Sequence, residues 1–445
     1  MSKNENDFAR EPVPEELRKG WLSIASVWIA VGIDLSAMLL GAQLGAGMPF
    51  GKAILAVVIG SVFLGLLGAF CAYIGYTTGL STAMISTFVF GKQGAKFISF
   101  CLGVSLLGWF GVQAGFFAEN AHAAIQSLLG IDVPVKVLAL IGGLLMMTTA
   151  IYGYRAIEKL SKFSVPFLIL LIVAALSVAL NEKGTDDVLQ TTGNTFSFGA
   201  ATSLVIGVFV VGTIISPDIA RWAKTKKDAV LSAFFGFLIG NSFMLVMAIV
   251  LSKAMNTSDL TVIFIALGMG IPAIIVLTLA QWTTNTNNLY SSSLGLAVLL
   301  PKIPKKILTI LAGLFATLFA VLGIFDHFVV FLNFITVFIA PVGGIYAAEY
   351  YLVNKHNFRF DNEHQPSFIT RSLVVWIIAS GIALLTTESP AGMELFQLTS
   401  IPAIDGFIAA FALQWLVEKL LYSNQNQQNL NKGRYTNEKI DKTNG

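Results

Sequence analysis

The chain has 445 residues, of which 55% are hydrophobic and only 12% charged, whereas a soluble domain carries about 25% charged residues. A net charge of +3 gives no reason to expect a nucleic-acid partner. The two cysteines, Cys71 and Cys101, lie in separate apolar segments and do not point to a disulfide framework. Apolar blocks recur along almost the whole length, many near the roughly 20 residues that cross a bilayer. They show no dominant amphipathic period, so their outer faces are apolar as well. The composition therefore defines an all-α polytopic protein whose main partner is the lipid bilayer.

In chain order, the first segment, MSKNENDFAREPVPEELRKG, is polar and charged and does not read as a cleavable signal peptide. Glycine, proline and charge punctuation then predicts twelve spans, at about 21–48, 52–78, 97–126, 134–153, 163–181, 199–222, 228–252, 269–298, 306–323, 327–352, 368–387 and 400–422. "GLSTAMISTFVFGKQGAK", between the second and third, is too short to cross and predicts an interfacial helix; "NTSDLTVIF" predicts a similar piece before the eighth. Of the 28 lysines and arginines, only Lys52, Lys136, Lys183 and Lys253 fall outside if the N-terminus is cytoplasmic. That asymmetry predicts cytoplasmic termini in a plasma (inner) membrane protein. The tail from residue 423 is polar and predicted to be disordered.

Four spans carry unusual groups at mid-depth. The first contains Asp34, a carboxylate costing roughly 2.5–3.5 kcal/mol at a helix centre, with no lysine or arginine at comparable depth. It is either protonated and bonded to a neighbouring helix or faces a wet site. The third, "GWFGVQAGFFAENAH", places Trp109 and Gln113 four residues apart on one face. A flat indole beside an amide suits a planar heterocycle with hydrogen-bonding edges, although such residues also serve helix packing. Gly108, Gly111 and Gly115 leave room there, either for close packing or for a ligand. Glu119, Asn120 and His122, further out, read as a solvated helix end.

In the sixth span, Gly207 and Gly212 bracket Phe209. A glycine-flanked central aromatic is a place where a helix can unwind and offer its backbone to a ligand. In the eighth span, "QWTTNTNNLYSSS", six consecutive polar residues, Thr283 to Asn288, interrupt hydrocarbon. Thr283 and Thr284, one turn after Ala280, combine hydroxyls with a carbonyl and suit Na⁺. Asn285 and Asn288 are candidates for the substrate or its supporting shell. The marked spans, first and sixth, third and eighth, are five apart. That spacing predicts two inverted five-helix repeats, about 21–181 and 199–352, followed by two extra helices at 368–422.

The ordered motifs "PVPEELRKG", "LGAGMPF", "TGLSTAMISTFVFG", "GWFGV", "PDIARW", "QWTTNTNNLYSSSLG" and "PVGGIYAAEYYL" resemble the nucleobase–cation symporter family, and within it the cytosine permeases. The resemblance covers nearly the whole chain. It implies a LeuT-like fold with discontinuous first and sixth helices, and cation-coupled uptake of cytosine or a close relative by alternating access. It also implies that Trp109 and Phe209 pack on the ring, that Gln113 reads its edge, and that Ala30, Ile33, Ala280, Thr283 and Thr284 ligate sodium. The chain departs from cytosine permeases at Asp34, Leu106, Val208 and Val211, which leaves open another aminopyrimidine, a purine or a hydantoin-like ring, and H⁺ in place of Na⁺. There is no H-E-x-x-H, no G-x-S-x-G and no Walker lysine, so enzymatic motifs are lacking. No obligatory protein partner is implied.

Overall fold

The computed structural model describes residues 8–33, 35–183, 195–258, 260–268, 270–353, 358, 366–389 and 391–441. Asp34, the carboxylate expected in the first span, lies outside the described residues. A helix covers each of the twelve predicted spans. By length and composition, five described helices can cross a membrane unaided, and two further bent pairs can each count as one span. Apolar side chains stand exposed in stripes at helical spacing, such as Leu55, Val58, Val62, Leu66 and Phe70 on the second span. A stripe of that kind fits lipid, where the backbone is satisfied within the helix and the side chains need only be apolar.

Prolines and glycines set the helix ends. Pro49, Pro134 and Pro304 precede the second, fourth and ninth helices, Phe50–Thr78, Val135–Ile151 and Lys305–Val321. Gly79 closes the second helix in the left-handed region, at φ 69°, which only glycine adopts without cost. The expected interfacial helix begins at Thr82 and is separated from the third span by a kink at Gly91, with φ 77° and ψ 170°. The short helix before the eighth span is Leu260–Ala266.

Two spans are broken, though one not where expected. The first runs Trp21–Gly32 and resumes as Leu35–Gly47, its halves bent by 47°. Ile33, at φ −91° and ψ 79°, has left the helix. The sixth stays helical from Phe198 to Ile214, straight through Gly207, Phe209 and Gly212. Its break falls at Ile215 and Ser216, before the short helix Pro217–Ala220. Pro217 supplies the reason, since it has no N–H to continue the ladder. The glycines let neighbours in instead: a Cβ at Gly207 would lie 2.6 Å from Thr336 Oγ1, and one at Gly212 3.3 Å from Phe237.

The seventh span contains a π-helical turn, Gly236–Asn241, between Lys226–Phe235 and Ser242–Met255. Gly240 in that turn meets Gly32 backbone to backbone, and Gly236 receives Trp28. The seventh helix thus packs against the break in the first. The last helix, Pro402–Asp441, continues through the tail that polarity alone predicts as disordered. That tail contains no proline, so nothing in its backbone interrupts the ladder.

The helix contacts carry the repeat. Exchanging spans one to five with six to ten maps the principal contacts onto one another: first–seventh onto second–sixth, third–ninth onto fourth–eighth, first–fifth onto sixth–tenth, and third–fourth onto eighth–ninth. The third–eighth and fourth–ninth contacts map onto themselves. The eleventh and twelfth helices pack against the tenth, outside this exchange. The fold is a five-plus-five inverted repeat with two added helices.

Candidate substrate and cation site

The site lies where the third and eighth spans meet the broken first span. From the eighth, the Thr283 hydroxyl lies 2.8 Å from the carbonyl of Ala280 and 3.3 Å from that of Ala30. An oxygen from each of Thr283, Ala280 and Ala30 is therefore gathered between two helices. Ile33, buried at the break, has its N–H bonded to the Ile29 carbonyl. Thr284 Oγ1 is buried and has no hydrogen-bond partner among the described residues. Buried hydroxyls are ordinarily bonded, and in membrane helices threonine usually bonds back to its own helix. Thr286 does so, donating to the Trp282 carbonyl at 2.7 Å. Thr284 makes no such bond among the described residues, and a cation bound by neutral oxygens would fit there.

From the third span, Gln113 Nε2 donates to Ser36 Oγ at 2.8 Å, just past the break, while its Oε1 is buried and unpartnered among the described residues. The amide is thus oriented by one bond, with its acceptor end available. Trp109, one turn earlier, is 4% exposed. Its indole meets Phe328 and Phe331 of the tenth span edge-on, with centroids 6.1 and 5.4 Å apart. Edge contacts on this side hold the ring plane in place. Phe209 belongs to another wall: its ring faces Phe237 at 6.5 Å, and Phe237 in turn meets Trp28 of the first span at 4.8 Å.

The asparagines part company. Asn285 Nδ2 points at the Phe110 carbonyl, 3.1 Å away, and at Met146 Sδ, 3.2 Å away, so it ties the eighth span to the third and fourth. Asn288 lies one turn beyond Thr284 on the same helix face, and its Nδ2 is buried and unpartnered among the described residues. Gln281, on that same face, was not a sequence candidate; it is fully buried, with both amide atoms unpartnered among the described residues. Ser36, the partner of Gln113, was not a candidate either. The three-residue step from Gln281 to Thr284 was the available signal for the first; nothing local marked the second.

The third-span glycines are packing positions. Cβ atoms at Gly108, Gly111 and Gly115 would fall 2.6, 2.8 and 2.1 Å from atoms of Phe331, Phe319 and Phe325. Asn120 donates to the Phe116 carbonyl and His122 pairs with the Val133 carbonyl, as at a helix end. Among the described residues no three His, Cys, Asp or Glu side chains gather to hold a metal.

A broken, apolar helix bundle with polar groups concentrated at the break is the architecture of a multi-pass membrane transporter. A family model described as permease for cytosine/purines, uracil, thiamine and allantoin matches residues 12–387. The cytosine permease of Escherichia coli (strain K12) is 34% identical over 383 residues, covering 85% of this chain and 88% of that protein. Among solved structures, Mhp1, a nucleobase-cation-symport-1 family transporter in a closed conformation with bromovinylhydantoin bound, aligns with TM-score 0.79 at 19% identity, covering 95% of this chain and 96% of that one. A Na⁺-coupled sialic acid symporter shares the fold at TM-score 0.60 and 13% identity, covering 94% and 91%. The chain belongs to the cytosine/purine permease family.

Proposed function

We propose that the protein imports cytosine or a closely related nucleobase across the plasma membrane by Na⁺ symport, with both termini cytoplasmic. Two repeats, 21–181 and 199–352, alternate access around the site, and helices 368–422 stand beside them. The observation that carries the coupling is the meeting of Ala30, Ala280 and Thr283 oxygens beside the Thr284 hydroxyl, which has no hydrogen-bond partner among the described residues. Sodium held by these oxygens and by the Ile33 carbonyl joins the first span to the eighth. The substrate ring lies on Trp109 and against Phe209, with Gln113 and Asn288 reading its polar edge; Gly207, whose backbone stays in the helix and whose open face takes Thr336, is not among its contacts. Asn285 supports the eighth helix behind them, and Asp34 is assigned to the amino group of the base on its chemistry alone. Similarity to a cytosine permease supports the substrate, and likeness in fold to a Na⁺-coupled symporter supports the ion.

The test is uptake of radiolabelled cytosine into proteoliposomes under an inward Na⁺ gradient, with choline as control. Accumulation only with Na⁺ is expected. Uptake indifferent to Na⁺ but driven by a proton gradient overturns the sodium assignment and transfers coupling to Asp34. Accumulation of a purine or hydantoin but not cytosine overturns the substrate.

A further inference from the structure

Gln281 is fully buried, and both of its amide atoms lack a hydrogen-bond partner among the described residues. An amide left that way in an apolar bundle costs free energy, so it requires a partner that those residues do not supply. Its neighbours show where it points. Trp282 donates to Thr149 of the fourth span at 2.9 Å, Thr283 lies 3.3 Å from the Ala30 carbonyl of the first, and Asn285 donates to the Phe110 carbonyl of the third at 3.1 Å. At 3.6 residues per turn, Gln281 falls between Thr284 and Asn285 on the helix circumference. It therefore faces the corner between the first and third spans, where Gln113 meets Ser36.

Depth agrees with direction. Asn285 reaches Phe110 and, seven residues on, Ser292 reaches the carbonyl of Gly103 at 3.5 Å, seven residues back along the third span. The two helices thus run antiparallel in one register, which sets Gln281 level with Ala114, the neighbour of Gln113. The two glutamines differ in what they offer. Gln113 has given an N–H to Ser36 and presents its acceptor, Oε1. Gln281 offers a donor and an acceptor side by side. We infer that Gln281 is a further recognition residue for the base: its Oε1 accepts from an exocyclic amino group and its Nε2 donates to the adjacent ring nitrogen. Glutamine makes the same kind of paired bond to the edge of adenine, and cytosine carries an amino group beside an unprotonated ring nitrogen. Turned by half a turn, the Gln281 amide would also match an N–H beside a carbonyl, so the fixed acceptor of Gln113 is what favours the amino-bearing ring. The inference deepens the nucleobase reading and rests on it.

The test is Gln281→Met, which keeps the bulk of the side chain and removes both polar atoms. Purified full-length protein in sodium buffer is titrated with cytosine and with pyrimidin-2-one, which lacks the amino group. Cytosine affinity is expected to fall about 5- to 150-fold, and pyrimidin-2-one affinity by less, so the preference for cytosine shrinks. Thermal stability without ligand should hold or rise, because an unbonded amide leaves the core, and the Na⁺-induced thermal shift should persist. Unchanged cytosine affinity overturns the inference, and is the result that an amide holding only a buried water would give. Lower stability without ligand, or loss of the Na⁺ shift as well, assigns Gln281 to the packing of the eighth helix and overturns it too. Gln281→Leu repeats the measurement if Gln281→Met does not yield monodisperse protein. Wild-type protein that does not bind cytosine overturns the substrate reading before any variant is made, so the two failures are distinguishable.

Discussion

Thr283 and Thr284 are neighbours in the chain whose hydroxyls have different surroundings. The first lies within hydrogen-bond reach of two carbonyls, one from another helix; the second has no hydrogen-bond partner among the described residues. Either hydroxyl can offer a lone pair to a cation, but only Thr284 lacks a hydrogen bond among the described residues that would occupy it without the ion. Thr284→Ala is therefore expected to abolish the Na⁺ dependence of uptake, and Thr284→Ser, which keeps the oxygen, to retain it. Equal Na⁺ dependence in wild type and Thr284→Ala would move the ion elsewhere. Trp109→Ala should behave differently. Stacking of a base on an aromatic is worth about 1–3 kcal/mol, so cytosine affinity should fall about 5- to 150-fold, with the Na⁺-induced thermal shift unchanged. Unaltered affinity, read by titration of the purified variant, would remove the indole from the site.

Among the elements, the sixth span teaches most about what a sequence discloses. Glycines around Phe209 suggested an unwound helix, yet the ladder runs through them and stops at Pro217. A missing Cβ looks the same in sequence whether it frees the backbone or admits a neighbour; only the position of Thr336 and Phe237 decides. Proline carries no such ambiguity, and its signal stood in "PDIARW" from the start. The third-span glycines are the same case. Gly111→Val should destabilise the protein by about 1–3 kcal/mol through overpacking, since its Cβ would fall 2.8 Å from Phe319 and 3.2 Å from the Ala316 carbonyl. Gly51→Ala, with open space around it, is the control. A Gly111→Val variant of normal thermal stability but weakened substrate binding would mean that the glycine makes room for a ligand after all.

For the whole molecule, the all-helical, multi-pass character and the five-span spacing were legible because the cost of the membrane acts on every segment alike. The repeat itself was visible only as spacing, with no residue-level self-similarity, because the exchange conserves which helices touch rather than which residues do the touching. The polar groups of the eighth span were legible as a cluster, but their division was not: Asn285 and Asn288 differ by a rotation around one helix, and that rotation becomes meaningful only once the third and fourth spans are in place.

The same architecture predicts how ion and substrate communicate. Ala30 lies before the break in the first span and touches Thr283; Ser36 lies after it and orients Gln113. One discontinuous helix thus contributes to both halves of the proposed site. Sodium that fixes the break also fixes the partner of Gln113, so each ligand should find the other's contacts already ordered. Linkage then demands reciprocity: the factor by which Na⁺ tightens cytosine equals the factor by which cytosine tightens Na⁺. Such couplings commonly amount to about 1–3 kcal/mol, or roughly 5- to 150-fold. Thermal unfolding of purified protein over a grid of both concentrations measures the two factors independently, because saturating either ligand at about 100 times its Kd adds about 2.7 kcal/mol of stability. A cytosine affinity that is the same in sodium and in choline would mean that the two ligands do not share the break, even if both bind.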